Sequence, residues 1–224
     1  GEELAVRRGQ ELVHAVADGL DFFESLTGKS IDQARRVDFF TCHEGLHLPY
    51  EQAQTRFLER RQGWYDLTTH FPWIGVRTSQ LDGAHVEFFR GISNPIGVKI
   101  GPDTTPAGLR GLLRTLNPTN QPGRLTLIHR LGAGRIRKVL PDLIDTVGEA
   151  AARVVWICDP MHGNTETATS GLKTRRLENI FEELDAAFDV HRAAGSHLGG
   201  VHLELTGEHV TECTGGARGL TDSD

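Results

Sequence analysis

The amino-acid sequence predicts an α/β protein built on a parallel sheet. Within that class it predicts a (β/α)8 TIM barrel, with about six of the eight strands in this chain. Three observations lead there. Short apolar runs alternate with segments of helical period from about residue 70 to residue 205, the order of strand–helix–strand crossovers. The runs are apolar throughout, as strands buried on both faces are. A polar side chain stands at or just beyond the end of one run after another: Arg77, Lys99, Arg130, Asp159 with His162, and Glu204. An open doubly wound sheet satisfies the first two observations but concentrates its site at one crevice. A barrel brings all its C-terminal strand ends to one face, where each of these residues has a place.

Taken in order, residues 2–26 predict a helix, with Leu4, Val13, Val16, Leu20 and Phe23 at roughly 3.6-residue spacing and Gly28 as its stop. Residues 37–42 are a short apolar run, a candidate strand leading into Cys42-His43-Glu44. Residues 49–61 are polar and predict a surface helix. Residues 70–78 read as a strand ending in Arg77, and 80–91 as a helix. Residues 95–100 form the next strand, with Lys99 near its end and Gly101-Pro102 as the break. Thr105 is a candidate helix cap with Pro106 at the first helical position, and that helix runs to about residue 116. Asn117-Pro118 and Gln121-Pro122-Gly123 mark turns.

Residues 124–129 are a third run, followed by Arg130 and a glycine-rich turn. Residues 136–152 predict a helix with Pro141 near its start, and 153–158 a strand that ends in Asp159-Pro160-Met161-His162. Residues 173–194 predict a long helix with Leu177, Ile180, Phe181, Leu184 and Phe188 on one face. Residues 199–205 are a final strand, and the tail reads as loop. The expected organisation is a single domain over 1–224. Residues 1–69 are a helical lead-in with one strand, and 70–216 are the barrel core.

Composition excludes several classes. The 224 residues carry a formal net charge of −6 and show no basic stripe, which argues against nucleic acid as a partner. No apolar run approaches membrane-spanning length, and residues 1–30 lack the apolar core of a signal peptide. Three cysteines, Cys42, Cys158 and Cys213, form no CxxC pair and no even framework, which points to reduced thiols and a cytoplasmic protein.

The strand-end residues suggest two kinds of chemistry. Arg77, Lys99 and Arg130 are a cationic trio suited to an anion: arginine offers a planar fork for phosphate or carboxylate, lysine a point charge. The plainer alternative for any one of them is a salt bridge at the barrel rim. His162 and Glu204 are a possible metal pair, since imidazole and carboxylate suit Zn, Mn or Fe. A catalytic site needs at least three protein ligands, so the pair is insufficient alone. Asp159 is a candidate ligand, a support for a ligand, or a helix cap. His202 shares a strand face with Glu204 and is held in reserve. Lys173-Thr174-Arg175, opening a helix, could hold phosphate or be a solvated first turn. Cys42-His43-Glu44 is a weak candidate for a thiol nucleophile, because sequence neighbours rarely face each other. Gly132-Ala133-Gly134 is too short for a dinucleotide fingerprint.

An ordered series of motifs carries a family resemblance. Trp73-Ile74-Gly75-x-Arg77-Thr78 with Asp82-Gly83-Ala84-His85, then Asn94-Pro95 to Lys99-x-Gly101-Pro102, resemble the class II 3-deoxy-D-arabino-heptulosonate 7-phosphate (DAHP) synthases. So do Pro122-Gly123-Arg124 through Arg130, Asp159 through Thr165, Gly171-x-Lys173-Thr174-Arg175, and Gly200-x-His202-x-Glu204 through Thr211-Glu212-Cys213. The series spans about residues 70–216. Before it, His43-Glu44 and Tyr50-Glu51 are the best matches.

The resemblance implies a metal-dependent barrel enzyme that condenses phosphoenolpyruvate with erythrose 4-phosphate and releases phosphate, at the entry to the shikimate pathway. It implies that Arg77, Lys99 and Arg130 hold phosphoenolpyruvate, and that His162 and Glu204 are ligands of a divalent metal (Mn, Co or Zn). Trp73, Asp159, Lys173 and His202 become candidates for phosphate contact or for supporting the ligands. It also implies a homo-oligomer. The chain departs from the family pattern at Val76, where the family has Glu, leaving only a backbone contact there. The family's Gly-Asp-Cys, Lys-Pro-Arg and Cys-Asp-Pro-Arg motifs are absent, and Cys42, Cys158 and Cys213 do not match the family's cysteine ligand. A longer enzyme would reconcile these departures. A catalytically degenerate regulatory or binding homologue, or a related phosphosugar-condensing enzyme of specialised metabolism, are the alternatives.

Overall fold

Six short strands, most of them apolar, pair side by side into one all-parallel sheet in the computed structural model, which describes residues 14, 25, 38–150, 152–168, 171, 173–204, 213–216 and 219–221. The chain divides into two compact units, Gly1–Phe40 and Thr41–Asp224. The helix expected over residues 2–26 lies, apart from residues 14 and 25, outside the described residues.

The second unit opens with β1 (Cys42–Glu44), α1 (Leu48–Gln54), a hairpin of β2 (Thr55–Leu58) and β3 (Gly63–Asp66), and β4 (Phe71–Ile74). There follow α2 (Ala84–Gly91), β5 (Ile96–Ile100), α3 (Pro106–Leu116), β6 (Leu125–His129), α4 (Ala133–Glu149) and β7 (Val154–Cys158). Then come β8 (Thr165–Thr167), β9 (Lys173–Arg176), α5 (Leu177–Ala193), β10 (Leu198–Val201) and β11 (Cys213–Thr214). The main sheet has the order β1-β4-β5-β6-β7-β10, which is chain order. A doubly wound sheet reverses direction partway; this one never does. Right-handed crossovers stepping always the same way place every helix on one face. Consecutive helices accordingly pack on each other, α2 on α3, α3 on α4 and α4 on α5. This is the layering of a barrel wall.

Register decides which side chain faces where. Lys99 pairs with Ile128 and Ile128 with Ile157, so these three share one face; Ile100, His129 and Cys158 pair in the same way on the other. The second face is the helix-covered one, where Ile96, Val98, Leu125, Leu127 and Trp156 join Leu109, Leu112, Ile136, Leu140 and Leu143 in the core. Each fully buried Leu or Ile there contributes roughly 1.5–3 kcal/mol. α3 is capped as the sequence predicts: the Thr105 hydroxyl accepts from Gly108 N at 3.1 Å, with Pro106 in the first turn. At the N-terminal end of the sheet Arg124 donates to the carbonyls of Asn94 and, at 2.9 Å, Phe89. That cation ties loops together and leaves the opposite end of the sheet to the other cations.

Several expectations are corrected. The first strand is Cys42–Glu44, and residues 38–41 belong to no element. The helix expected over 49–61 stops at Gln54, and Thr55–Leu58 pairs with Gly63–Asp66 around a short 3-10 turn. The run over 70–78 is strand only to Ile74, and Arg77 sits in a 3-10 turn beyond it. α4 begins three residues earlier than expected, so Pro141 lies within the helix. Lys173–Arg176 is strand β9, antiparallel to β8, so Lys173-Thr174-Arg175 opens no helix. Phe181 and Phe188 are exposed on α5, whose buried face is Ile180, Glu183, Ala186, Ala187, Val190 and His191. The last strand ends at Val201, and the tail contains the two-residue strand β11.

Candidate functional site

At the C-terminal end of the parallel sheet lies a cavity of about 390 Å³. Its wall includes Trp73, Val76 and Arg77 from the end of β4, Lys99 from β5, Arg130 after β6, and Asp159 and His162 after β7. Lys173 and Arg175 of β9 and Glu44 of β1 complete it. An adjoining cavity of about 550 Å³ shares Val76 and Arg130 and extends past Thr104, Thr105 and Arg135.

Lys99 is the buried centre of this wall. Its side chain is 3% exposed, and its ammonium is paired with the Asp159 carboxylate, which is fully enclosed. The ammonium also stands 4.8 Å from the centroid of the Trp73 ring. Burial pulls the Lys99 ammonium below its usual range, against the raising effect of Asp159. Burial pushes the Asp159 carboxyl up, but the His162 hydrogen bond and the Lys99 charge outweigh it and hold it well below the usual carboxylate range. Each charge compensates the other in a place where a lone one is costly.

Asp159 organises the loop after β7. Its Oδ1 accepts from Met161 N and His162 N, both at 3.1 Å. Its Oδ2 lies 2.8 Å from His162 Nδ1. A carboxylate on Nδ1 selects the tautomer that leaves Nε2 with its lone pair. Nε2 stands 3.0 Å from Glu204 Oε2, close enough for one ion to take both donors. Glu204 is itself placed by its backbone N, 3.1 Å from Met161 Sδ. His202 packs edge-on to Trp73, ring centroids 5.4 Å apart, and its backbone N donates to Cys158 O at 2.8 Å. Burial, then the Lys99 charge, holds the His202 imidazole below its usual pKa.

Arg130 donates through one terminal nitrogen to the carbonyl of His162, while its Nε is buried with no partner. Arg77 is exposed and its guanidinium has no partner among the described residues. Thus Trp73, Val76, Arg77, Lys99, Arg130, Asp159, His162 and Lys173 share one cavity wall, with Glu204 and His202 joined to it through His162 and Trp73.

Two wall residues escape a reading of the sequence as strand ends. Glu44 follows the same strand-end rule, but only when β1 is placed at 42–44 rather than at 37–42; its carboxylate fills the space where a Cβ on Gly75 would stand. Arg175 is buried in the wall, with Nε donating to Met161 O at 3.2 Å. On the other side of the sheet His129, Cys158 and Glu183 form a buried group of metal-capable side chains. Burial, then the His191 charge, pushes the His129 imidazole down to about 3. No helix among the described residues is long and apolar enough to cross a membrane.

Comparison with known proteins places this geometry in context. A model of the class-II DAHP synthetase family matches residues 2–224. A phospho-2-dehydro-3-deoxyheptonate aldolase of Neurospora crassa is 46% identical over 231 residues, which cover 96% of this chain and 48% of that protein. The phospho-2-dehydro-3-deoxyheptonate aldolase AroG of Mycolicibacterium smegmatis is 45% identical over 222 residues, 97% of this chain and 48% of its own. A Streptomyces coelicolor protein with the same aldolase name is 46% identical, covering 94% of this chain and 46% of its own. The chain spans about half the length of these curated relatives. A solved phospho-2-dehydro-3-deoxyheptonate aldolase from Francisella tularensis SCHU S4 matches at a TM-score of 0.39 and 18% identity, over 60% of this chain and 42% of that one. That likeness is too remote to carry a structural argument.

Proposed function

The chain belongs to the class-II DAHP synthetase family, and on that premise we propose that it serves the condensation of phosphoenolpyruvate with erythrose 4-phosphate to DAHP and phosphate. The observation that carries the proposal is the convergence of Lys99, Arg130, Arg77 and the His162–Glu204 pair on one cavity mouth.

In this reading Arg77, Lys99 and Arg130 hold the carboxylate and phosphate of phosphoenolpyruvate. The cationic groups of Lys99 and Arg130 already have fixed directions, set by Asp159 and by the His162 carbonyl. Fixed donors cost little reorganisation when the enol carbon attacks the aldehyde. Lys173, exposed at the rim beside Arg77, adds positive charge where a second phosphate would enter. Trp73 covers the Lys99 ammonium, and His202 packs against Trp73. Val76 offers backbone only.

His162 Nε2 and Glu204 would be two ligands of a divalent metal, Mn, Co or Zn. Their donor atoms and spacing fit such an ion, and Asp159 supports the imidazole as a carboxylate behind a ligand does. At least one further protein ligand is required. A bound ion would act as a Lewis acid on the sugar's aldehyde oxygen. Three cysteines that form no CxxC pair and no even framework support a cytoplasmic protein, and a homo-oligomer is part of the same reading.

The test is phosphate release from phosphoenolpyruvate and erythrose 4-phosphate by the encoded protein, with added Mn²⁺ or Co²⁺. Metal-dependent release is expected, lost in His162→Ala. Folded protein with no release would overturn the proposal in favour of a non-catalytic regulatory or binding relative, the reading that Val76 favours. Release with other phosphorylated aldoses in place of erythrose 4-phosphate would assign a different sugar.

A further inference from the structure

The helix-covered face of the sheet holds a second polar group that the proposed reaction does not use. His129 and Cys158 are register partners at the ends of β6 and β7, and Glu183 reaches them from α5. One imidazole nitrogen, the thiol sulfur and one carboxylate oxygen lie within 4.8 Å of one another. All three residues are fully buried, at 0% exposure. Neither ring nitrogen of His129 has a hydrogen-bond partner. Buried polar nitrogens are nearly always paired, so an orphaned imidazole facing a thiol and a carboxylate calls for a ligand. Glu183 is held in place: Oε1 accepts from Leu131 N at 2.8 Å and Gly132 N at 2.9 Å, and Oε2 from Asn164 Nδ2 at 2.6 Å. Oε2, with a single donor, retains lone-pair capacity for a further partner.

We propose that His129, Cys158 and Glu183 bind a thiophilic divalent cation of the Zn²⁺ type, which fastens β6 and β7 to α5 behind the anion cavity. The donor set fits in charge. A thiolate and a carboxylate cancel the two positive charges, and a neutral imidazole adds none, so the ion and its ligands form a neutral unit in a dry place. The set also fits in kind, because sulfur with imidazole favours zinc or cobalt over the harder manganese. Binding replaces the thiol proton of Cys158 by the metal, and that proton leaves to solvent. Tetrahedral zinc places its donors roughly 3.5 Å apart, so a side-chain adjustment of about an ångström closes the site. His191 stands at its margin, with its ring 5.6 Å from that of His129, its Nδ1 3.0 Å from Ser196 Oγ and its Nε2 buried without a partner. The site is separate from the His162–Glu204 pair and does not depend on the reaction proposed above.

The experiment is Co²⁺ titration of the full chain carrying Cys42→Ser and Cys213→Ser, so that Cys158 is its one thiol. One equivalent giving a near-ultraviolet thiolate-to-cobalt charge-transfer band is expected. Adding His162→Gln and Glu204→Gln should leave that band intact, and adding Cys158→Ser should abolish it. Glu183→Gln, which keeps a backbone acceptor but loses the charge, should weaken Zn²⁺ competition for the band by roughly tenfold or more. In urea concentrations that open the fold, Zn²⁺ should also slow alkylation of Cys158, a measurement that needs no variant at that position. No sulfur band in folded protein, a band that survives Cys158→Ser, or alkylation unaffected by Zn²⁺ would each overturn the site.

Discussion

Replacing Lys99 by Met removes one charge from a pair that solvent barely reaches. Lys99 is 3% exposed and Asp159 is not exposed at all, so the substitution strands a carboxylate in the protein interior. Breaking a buried pair by deleting one partner costs about 3–5 kcal/mol. Asp159 keeps Met161 N, His162 N and His162 Nδ1 as donors, which places the expected loss near the lower end, about 3 kcal/mol. Asp159→Asn strands the ammonium instead, with only the Trp73 face 4.8 Å away to compensate, and is expected to cost as much or more. The double variant Lys99→Met, Asp159→Asn carries no stranded charge. Its loss should fall short of the sum of the two single losses by about 2 kcal/mol, within the range for residues in one network. Urea unfolding at pH 7, followed by tryptophan fluorescence, measures all three. If the double variant loses the sum of the singles to within about 0.5 kcal/mol, the two charges do not act as a pair and the account of this wall fails.

Gly132→Ala should destabilise by roughly 1–3 kcal/mol in thermal unfolding, since residue 132 has φ of +81° and a Cβ there would meet the Gly163 carbonyl oxygen at 2.7 Å. Acid should also weaken the fold through His191, which burial and then the His197 charge push down to about 4. The unfolded side chain binds its proton near pH 6.5, so this contribution is whole above that pH and is lost as the pH falls to about 4, at roughly 1.4 kcal/mol per pH unit. Denaturation curves with chelator present should show the acid slope flattened by that amount in His191→Phe; an unchanged slope would refute it.

The strands of the main sheet were legible where both faces are buried. β5 and β6 read directly as apolar runs, β7 does so although its Val155 is exposed, and Thr105-Pro106 announced α3 through a cap that forms as expected. The failures share a physical cause, which is that tertiary partners outweighed local pattern. Thr55–Leu58 has no apolar alternation to betray a strand, and its order comes from pairing with Gly63–Asp66. α4 starts at Ala133 because Glu183, far along the chain, takes the amides of Leu131 and Gly132. On α5 the eye goes to Phe181 and Phe188, yet the buried face is made of Ile180, Ala186, Ala187 and Val190 with the polar Glu183 and His191, whose burial comes from partners on the sheet and the loops and not from apolar pattern. Lys99, Arg130 and His162 could be picked out as strand-end residues; that Asp159 joins Lys99 to His162 could not, because no spacing rule links residues 99 and 159.

The backbones at Gly132 and Gly163 touch with no side chain between them, and Arg130 bonds across the same seam to the His162 carbonyl. The separation between the loop after β6 and the loop after β7 is therefore set by main-chain contact. Substitutions elsewhere in the wall can retune charge or shape while that spacing persists. A larger residue at either glycine would pry the Arg130 and His162 loops apart together, so the two positions act as one gauge for the spacing of those loops.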